Sequence, residues 1–287
     1  MYIPEKIDLH MHTTVSDGTD TPEEILGKVR DAGIRLFSVT DHNAIGGGKR
    51  IQAVLQPGDP RFITGVEFNA RDQFGQYHIL GYRYDPEGES IRELEELGHR
   101  YRMEKLEARL NFLRDEFGFE FPEKDLETLY SMDNPGKPHI GNLMVRLGFT
   151  DTKETAITQF INKLHVRGKD IHPADVIIGI LGSGGIPVLA HPAYGSGDQL
   201  ILGDEMDKRI QRLMKFGLQG IEAYYSGFTP RIRNEMLGLA EKYDLYVTAG
   251  SDYHGKNKMI SLGDTGLDDP AEYPEGMLRF LEQICPE

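Results

Sequence analysis

Residues 8–20 read DLHMHTTVSDGTD. His10 and His12 stand at i, i+2, so on a strand their rings share one face. A hydrophobic core has no use for two imidazoles side by side. They end a short apolar segment, Ile7 to His10, and Asp17 follows on a polar, glycine-containing turn. The fold is decided by what ends the other strands.

Working outward, TPEEIL begins a helix: Thr21 caps, Pro22 suits the first turn, and Glu24 lies three residues after the cap. Ile25, Leu26 and Val29 follow at helical spacing, and Gly33 can end the helix. IRLFSVTDH is a strand ending in Asp41 and His42, FITGVE one ending in Glu67, and YHILGY a fourth carrying His78. From about Ser90 to His172 the chain is polar and helical, with Leu94, Leu97, Tyr101, Leu106, Leu110 and Leu113 as a loose stripe. Helix and strand then alternate again. IPVLAH ends in His191, LQGIEAY is a sixth strand, and LYVTAGSD ends in Asp252 with His254 just beyond.

About seven strands with intervening helices predict an α/β fold with a mainly parallel sheet. A barrel and an open doubly wound sheet both fit the alternation. His10, Asp41, Glu67, His191 and Asp252 end different strands, and a barrel gathers strand ends at one mouth. An open sheet gathers ligands chiefly at a switch point. The expectation from the residues is therefore a barrel, with the polar helical region between its halves a small helical domain or an elaborate crossover.

Composition narrows the function. The 287 residues are 39% hydrophobic and 27% charged, with formal net charge -14. A nonspecific duplex binder is usually basic. One cysteine, Cys285, excludes an internal disulfide or thiolate cluster and suits a reducing compartment, so a cytoplasmic protein is expected. The first residues lack the basic and apolar regions of a signal peptide. Ile177 to Ala190 is the nearest thing to a membrane span, and glycines and a proline interrupt it. HNAIGGGKR, residues 42–50, lacks the spacing of a phosphate-cradling loop.

Histidines and carboxylates at so many strand ends point to bound metal, with Zn, Mn or Fe suited better than Ca or Mg. The ordered motifs DLHMHTTVSDG, VTDHN, GVE, the His78 segment, LAHP and GSDYHG resemble the PHP (polymerase and histidinol phosphatase) superfamily, in its subgroup of small phosphoesterases with a helical insertion. The resemblance implies a distorted seven-stranded (β/α)7 barrel, residues 1–90 and 171–287, with a helical insertion or cap at 91–170, and a two- or three-metal centre. His10, His12, Glu67 and Asp252 would hold one ion, Glu67 would bridge to a second held by His78 and His191, and Asp17, His42 and His254 would hold a third. The catalytic set is then His10, His12, Asp17, Glu67, His191, Asp252 and His254. Asp41 lies outside the family's ligand positions; it orients a ligand histidine or binds the backbone of its turn.

Such a centre suits hydrolysis of a phosphate ester by metal-bound hydroxide, with no serine or cysteine nucleophile. In the resembling phosphoesterases a basic-Pro-His stretch and a later Gly-basic stretch approach the site. The matching substrate-phosphate residues here are Lys137, His139, Arg167 and Lys169. Tyr224 and Tyr225 are either rim platforms for a base or core packing, and Arg231 and Arg233 are surface residues. The substrates implied are small nucleotides: nucleoside 3',5'-bisphosphates, nucleoside monophosphates or short 5'-phosphorylated oligonucleotides, with no long duplex and no membrane as partner. Histidinol phosphate hydrolysis and a polymerase-associated exonuclease module are the alternatives.

Overall fold

A computed structural model describes residues 2–164, 170–195, 199–267 and 269–285. In chain order its elements are β1 (Ile7–Asp8), α1 (Pro22–Asp31), β2 (Leu36–Phe37), α2 (Gly46–Val54), β3 (Arg61–Phe62), β4 (Gly65–Asp72), β5 (Gly75–Tyr82), α3 (Glu89–Phe117), α4 (Glu123–Tyr130), α5 (Lys137–Arg146), α6 (Lys153–Thr155), α7 (Pro173–Gly182), β6 (Ile186–Leu189), α8 (Gly203–Met214), β7 (Gly220–Tyr225), α9 (Pro230–Lys242), β8 (Tyr246–Gly250) and α10 (Glu275–Ile284). The start of α1 follows its sequence: the Thr21 hydroxyl accepts from Glu24 N and the Glu24 carboxylate accepts from Thr21 N, closing a capping box.

The closed barrel is not what forms. The strands make two open sheets, a three-stranded one ordered β1-β2-β3 and a five-stranded one ordered β4-β5-β6-β7-β8. The physical reasons lie in two places. First, β1, β2 and β3 pair over two residues each. Beyond those pairs the chain leaves the ladder, and His10 to Ser16 and Thr40 to Asn43 build loops. Second, the expected strand FITGVE divides into β3 and β4. Gly65 stands at the break, and a Cβ there would meet Ser38 Oγ at 2.0 Å. β4 then turns back as an antiparallel hairpin with β5, and β5 is antiparallel to β6 as well. The turn between β4 and β5 uses Gly75 at φ 152°, too short for a crossover helix. Only β6, β7 and β8 keep the parallel order in the second sheet. The sheets meet through isolated bridges, Met11 with Tyr253 and His42 with Glu67.

The main core packs α7, α8, α9 and α10 on the larger sheet. Met206, Ile210 and Leu213 of α8 and Met277, Phe280, Leu281 and Ile284 of α10 are the buried stripes. Ile186 to Leu189 of β6 is apolar and buried on both faces, as a central strand requires.

The 29-residue α3 belongs to two clusters. Its Ile91 and Leu94 pack into the sheet core, while Leu106, Leu110 and Leu113 join a separate cluster with Leu129, Ile140, Met144 and Ile161. Between them, Gly98 lets the helix approach Asn43; a Cβ at Gly98 would lie 2.8 Å from Asn43 Cβ. The helical layer is thus set against the loop that carries His42.

Candidate metal centre

Both sheets send side chains to one place. From the smaller sheet come His10, His12 and Asp17 after β1, and His42 after β2. From the larger come Glu67 of β4, His78 of β5, His191 after β6, and Asp252 and His254 after β8. All nine lie together. Glu67 is fully buried at the middle. Its Oε2 faces His10 Nε2 at 3.4 Å, His12 Nε2 at 3.3 Å and His42 Nδ1 at 3.0 Å. Its Oε1 faces His78 Nδ1 at 3.0 Å and His191 Nε2 at 3.1 Å. Asp252 Oδ1 lies 3.6 Å from His10 Nε2 and 3.3 Å from His12 Nε2. Asp17 Oδ1 lies 3.2 Å from His254 Nε2.

Three sets each bring one ligand atom per residue within 4.8 Å of the others: His12, Asp17, His42 and His254; His10, His12 and Glu67; and His42, Glu67 and His78. The fit to metal can be tested on the atoms themselves. His10 Nε2, His12 Nε2, His42 Nδ1 and Glu67 Oε2 are buried and have no hydrogen-bond partner. Buried polar atoms are ordinarily paired. Three imidazole nitrogens crowded about one carboxylate oxygen are the acceptor set a divalent cation satisfies. Burial opposes the Glu67 charge, yet His42, His78 and His10 hold its carboxyl well below the ordinary range. Burial pushes His78 down to about 4, which leaves its ring neutral, as a ligand must be. The mixed nitrogen and oxygen donors fit two or three divalent ions of the Zn, Mn or Fe kind.

The backbone bends to present these groups. Asp252 sits at φ 57° and His191 at φ 26°. Such left-handed positions are costly for residues other than glycine and tend to occur at functional sites. Gly250 lies directly beneath; a Cβ there would stand 2.2 Å from His10 Cβ.

Asp41 answers the choice left open by its sequence position. It accepts from Thr13 N at 2.8 Å, Thr13 Oγ1 at 2.7 Å and Ser16 Oγ at 2.6 Å. It therefore ties down the turn between His12 and Asp17. Tyr224 is core, with the Arg233 guanidinium over its ring. Tyr225 stands at the site, donating to Asp252 Oδ2 at 3.0 Å, with its ring centroid 5.4 Å from that of His191. Lys258 also bonds Asp252. Arg231 is exposed, whereas Arg233 is partly buried and donates to Gly266 O.

Of the expected phosphate binders, Lys137 lines a cavity of about 560 Å³ that Asp17, His42 and His78 also line. Its ammonium donates to Asn162 Oδ1 at 2.6 Å. His139 begins α5, and its Nδ1 accepts from Gly136 N at 2.9 Å. Arg167 and Lys169 lie outside the described residues. Two features escaped the sequence reading. Glu222 of β7, fully buried, faces His10 Nδ1 at 2.9 Å with Oε1 and accepts from His191 N at 2.8 Å with Oε2. Its signal was an acid inside the apolar strand GIEAYY. Arg102, Lys105 and Arg109 of α3 line the large cavity. Their signal was the spacing of three and four, which puts them on one helix face.

Buried histidines and carboxylates converging from several strand ends, beside a cation-lined cavity, define a metal-dependent hydrolase. The PHP domain model matches residues 8–282, and the chain belongs to the PHP domain family of metal-dependent phosphoesterases. It is 24% identical over 262 residues to a 5'-3' exoribonuclease of Haemophilus influenzae, covering 90% of this chain and 93% of that one. It is 27% identical over 263 residues to a 3',5'-nucleoside bisphosphate phosphatase of Chromobacterium violaceum, covering 86% and 87%. A solved protein of Bifidobacterium adolescentis, proposed to be a metal-dependent phosphoesterase, superposes with TM-score 0.81 at 26% identity over 96% of this chain and 95% of that one. Among the described residues no helix is long and apolar enough to cross a membrane.

Proposed function

We propose that this chain hydrolyses the phosphate ester of a small nucleotide: a nucleoside 3',5'-bisphosphate, a nucleoside monophosphate or a short 5'-phosphorylated oligonucleotide. The observation that carries the reading is one cavity of about 560 Å³ lined both by Asp17, His42 and His78 and by lysine and arginine side chains. That volume suits a nucleotide-sized ligand. The names of two relatives, a bisphosphate phosphatase and a 5'-3' exoribonuclease, support the same class. A wall of cations is unfavourable for the cationic amine of histidinol phosphate.

His10, His12, Glu67 and Asp252 would hold one ion, with Glu67 shared with a second at His78 and His191, and Asp17, His42 and His254 holding a third. Bound there, divalent ions supply neutralisation of phosphate charge and a water of lowered pKa. The protein's own part is positioning. Glu222 fixes the His10 ring and leaves Nε2 free to point at Glu67 and Asp252. Tyr225 and Lys258 hold the outer oxygen of Asp252, so that the inner one faces the histidines. Among the described residues, α3 and α5 form one wall of the cavity and would shield the reacting phosphate from bulk water. The lone Cys285, buried at the far end of α10, takes no part and suits a reducing, cytoplasmic setting.

The test is phosphate or nucleotide release from a panel by protein loaded separately with Mn, Fe(II) and Zn. The panel holds adenosine 3',5'-bisphosphate, AMP, a 5'-phosphorylated dinucleotide and histidinol phosphate, with products read by mass. Turnover of the nucleotides, lost in His10→Ala and Asp252→Ala, is expected. Turnover of histidinol phosphate alone, or none despite confirmed metal occupancy, would sink the reading.

A further inference from the structure

Asp17, His42 and His254, the ligands assigned above to the third ion, share a feature in their backbone. Asp17 O accepts from Asn257 Nδ2 at 2.7 Å, His254 O accepts from Asn257 N at 3.3 Å, and His42 O accepts from Asn134 Nδ2. Carbonyls elsewhere in the centre are bonded by backbone donors: His10 O by Asp252 N at 2.8 Å, Glu67 O by Asn43 N at 2.8 Å, and His78 O by Ala190 N at 3.0 Å. The third set is also less enclosed than the first ion's. The side chains of Asp17 and His42 are 21% and 13% exposed, against 0% for His10, His12 and Glu67. Its three ligands stand on loops, so their aim depends on what holds those loops.

The helical layer holds them. Asn134 lies between α4 and α5 and is buried. Lys153 opens α6, and its Nζ donates to Asn257 Oδ1 at 2.6 Å. α5 packs on the stem of that lysine: a Cβ at Gly141 would lie 3.1 Å from Lys153 Cγ. A lysine ammonium can only donate. It therefore fixes the amide of Asn257 with the oxygen outward and leaves Nδ2 for Asp17 O. Turned over, the amide would set its oxygen against the carbonyl of Asp17. None of these three residues offers an atom to the ions; each acts through the backbone of a ligand.

We propose that Lys153, Asn257 and Asn134 are positioning residues for the third ion, through which the helical layer aims Asp17, His42 and His254. The inference rests on the three-ion placement of the reading above and deepens it. Linkage gives it a second face. If the docked layer raises the affinity for that ion, the ion steadies the docked layer by the same factor.

The test titrates Mn(II) into the chelator-stripped full chain against a competing chelator, with bound metal counted by elemental analysis. The step that Asp17→Asn removes is the third ion. In Asn257→Ala the affinity of that step is expected to fall about 10- to 100-fold and in Lys153→Met about tenfold, with the other steps unchanged. Lys153→Arg keeps a donor in place and is expected to recover most of the loss. The double variant Lys153→Met with Asn257→Ala is expected to lose no more than Asn257→Ala, because the lysine acts through that amide. Lys153 and Asn257 are partly exposed, so their variants spare the core in a way that loss of the buried Asn134 would not. Amide hydrogen exchange is the second readout. The third equivalent of Mn(II) is expected to slow exchange over residues 137–155 in the unaltered protein and not in Lys153→Met. A merely structural role would speed exchange there at every metal loading and leave that increment intact. A third step of unchanged affinity in both variants, equal losses at every step, or exchange indifferent to the third equivalent would overturn the proposal and leave the three-ion centre standing. An unaltered protein that binds no third equivalent would instead remove the three-ion placement, and the proposal with it.

Discussion

Replacing Glu222 by glutamine tests whether the metal centre is built from its second layer inward. The carboxylate serves two donors at once, His10 Nδ1 at 2.9 Å and the His191 backbone N–H at 2.8 Å, and uses one oxygen for each. A glutamine side chain has the same shape but one acceptor oxygen and one NH2 group. One of the two donors must then face another donor. If it is His10, the ring loses the bond that fixes its tautomer and aims Nε2 at Glu67 and Asp252. If it is His191, the turn that sets its φ of 26° loosens. Outer partners of this kind are worth about 10- to 100-fold in metal affinity, or roughly 1.4–2.8 kcal/mol. The unpaired donor, fully buried, costs about 1–3 kcal/mol of stability in addition. At about 2–4 °C per kcal/mol for a chain of this size, the metal-free melting midpoint falls by several degrees. The assays are chelator competition for affinity and thermal denaturation in excess chelator for stability. An unchanged affinity together with an unchanged metal-free midpoint would refute the reasoning, because it would mean that His10 and His191 are held by something other than this carboxylate.

Other perturbations separate the site from its scaffold. Gly250→Ala places a methyl 2.2 Å from His10 Cβ and 2.5 Å from Glu222 Oε1; displacing His10 by about 1 Å should cost on the order of a hundredfold in kcat/KM, read from phosphate release. Thr21→Ala removes half of the capping box and should cost about 1 kcal/mol in denaturant unfolding, while metal affinity measured by chelator competition stays unchanged because α1 begins outside the ligand set. Metal removal by a chelator should abolish phosphate release. Restoring metal at a hundredfold excess over its Kd should stabilise the fold by about 2.7 kcal/mol per site, seen as a higher melting midpoint.

The candidate ligands stand out in the sequence as polar residues at or just past short apolar runs, although only Glu67 and His78 lie within strands and the others follow them in loops. His10 and His12 lie beyond the end of β1, so the strand period that drew attention to them is not what brings their rings together. The fold class was half legible. Alternation of helix and strand gives the layers, yet nothing in that pattern says how many residues of a strand will pair. Ile7–Asp8 and Leu36–Phe37 stop after two because the polar residues that follow are needed at the site. The antiparallel β4–β5 hairpin was hidden for another reason. Its turn, Gln73-Phe74-Gly75, carries a large apolar residue, and YHILGY read by itself gives no direction. Glu222 is a single acid within an apolar strand, and nothing in that strand's sequence names the two donors it serves. The α3 cations stand among many other charged residues of that helix, so their spacing alone does not single them out. Only the cavity beside them makes one face different.

The open sheets also give the site a mechanical character. Where a closed ladder would hold the strand ends together, here the joins are local: His12 N donates to Tyr253 O at 2.8 Å, Asp252 N to His10 O at 2.8 Å, and Asn43 N to Glu67 O at 2.8 Å. Each of these bonds lies at or next to a candidate ligand. His10, His12, Asp17 and His42 follow strands of one sheet, while Glu67 and His78 lie in strands of the other and His191, Asp252 and His254 follow its strands. Every group of ligand atoms that comes within reach of a common ion draws on both, because Glu67 or His254 stands in each set. Ions held at this centre would therefore join the two sheets along the seam that these backbone bonds cross. The buried orphans on His10, His12, His42 and Glu67 lie along that seam, so the same desolvated atoms that make the chemistry possible are those whose satisfaction holds the halves of the molecule in register.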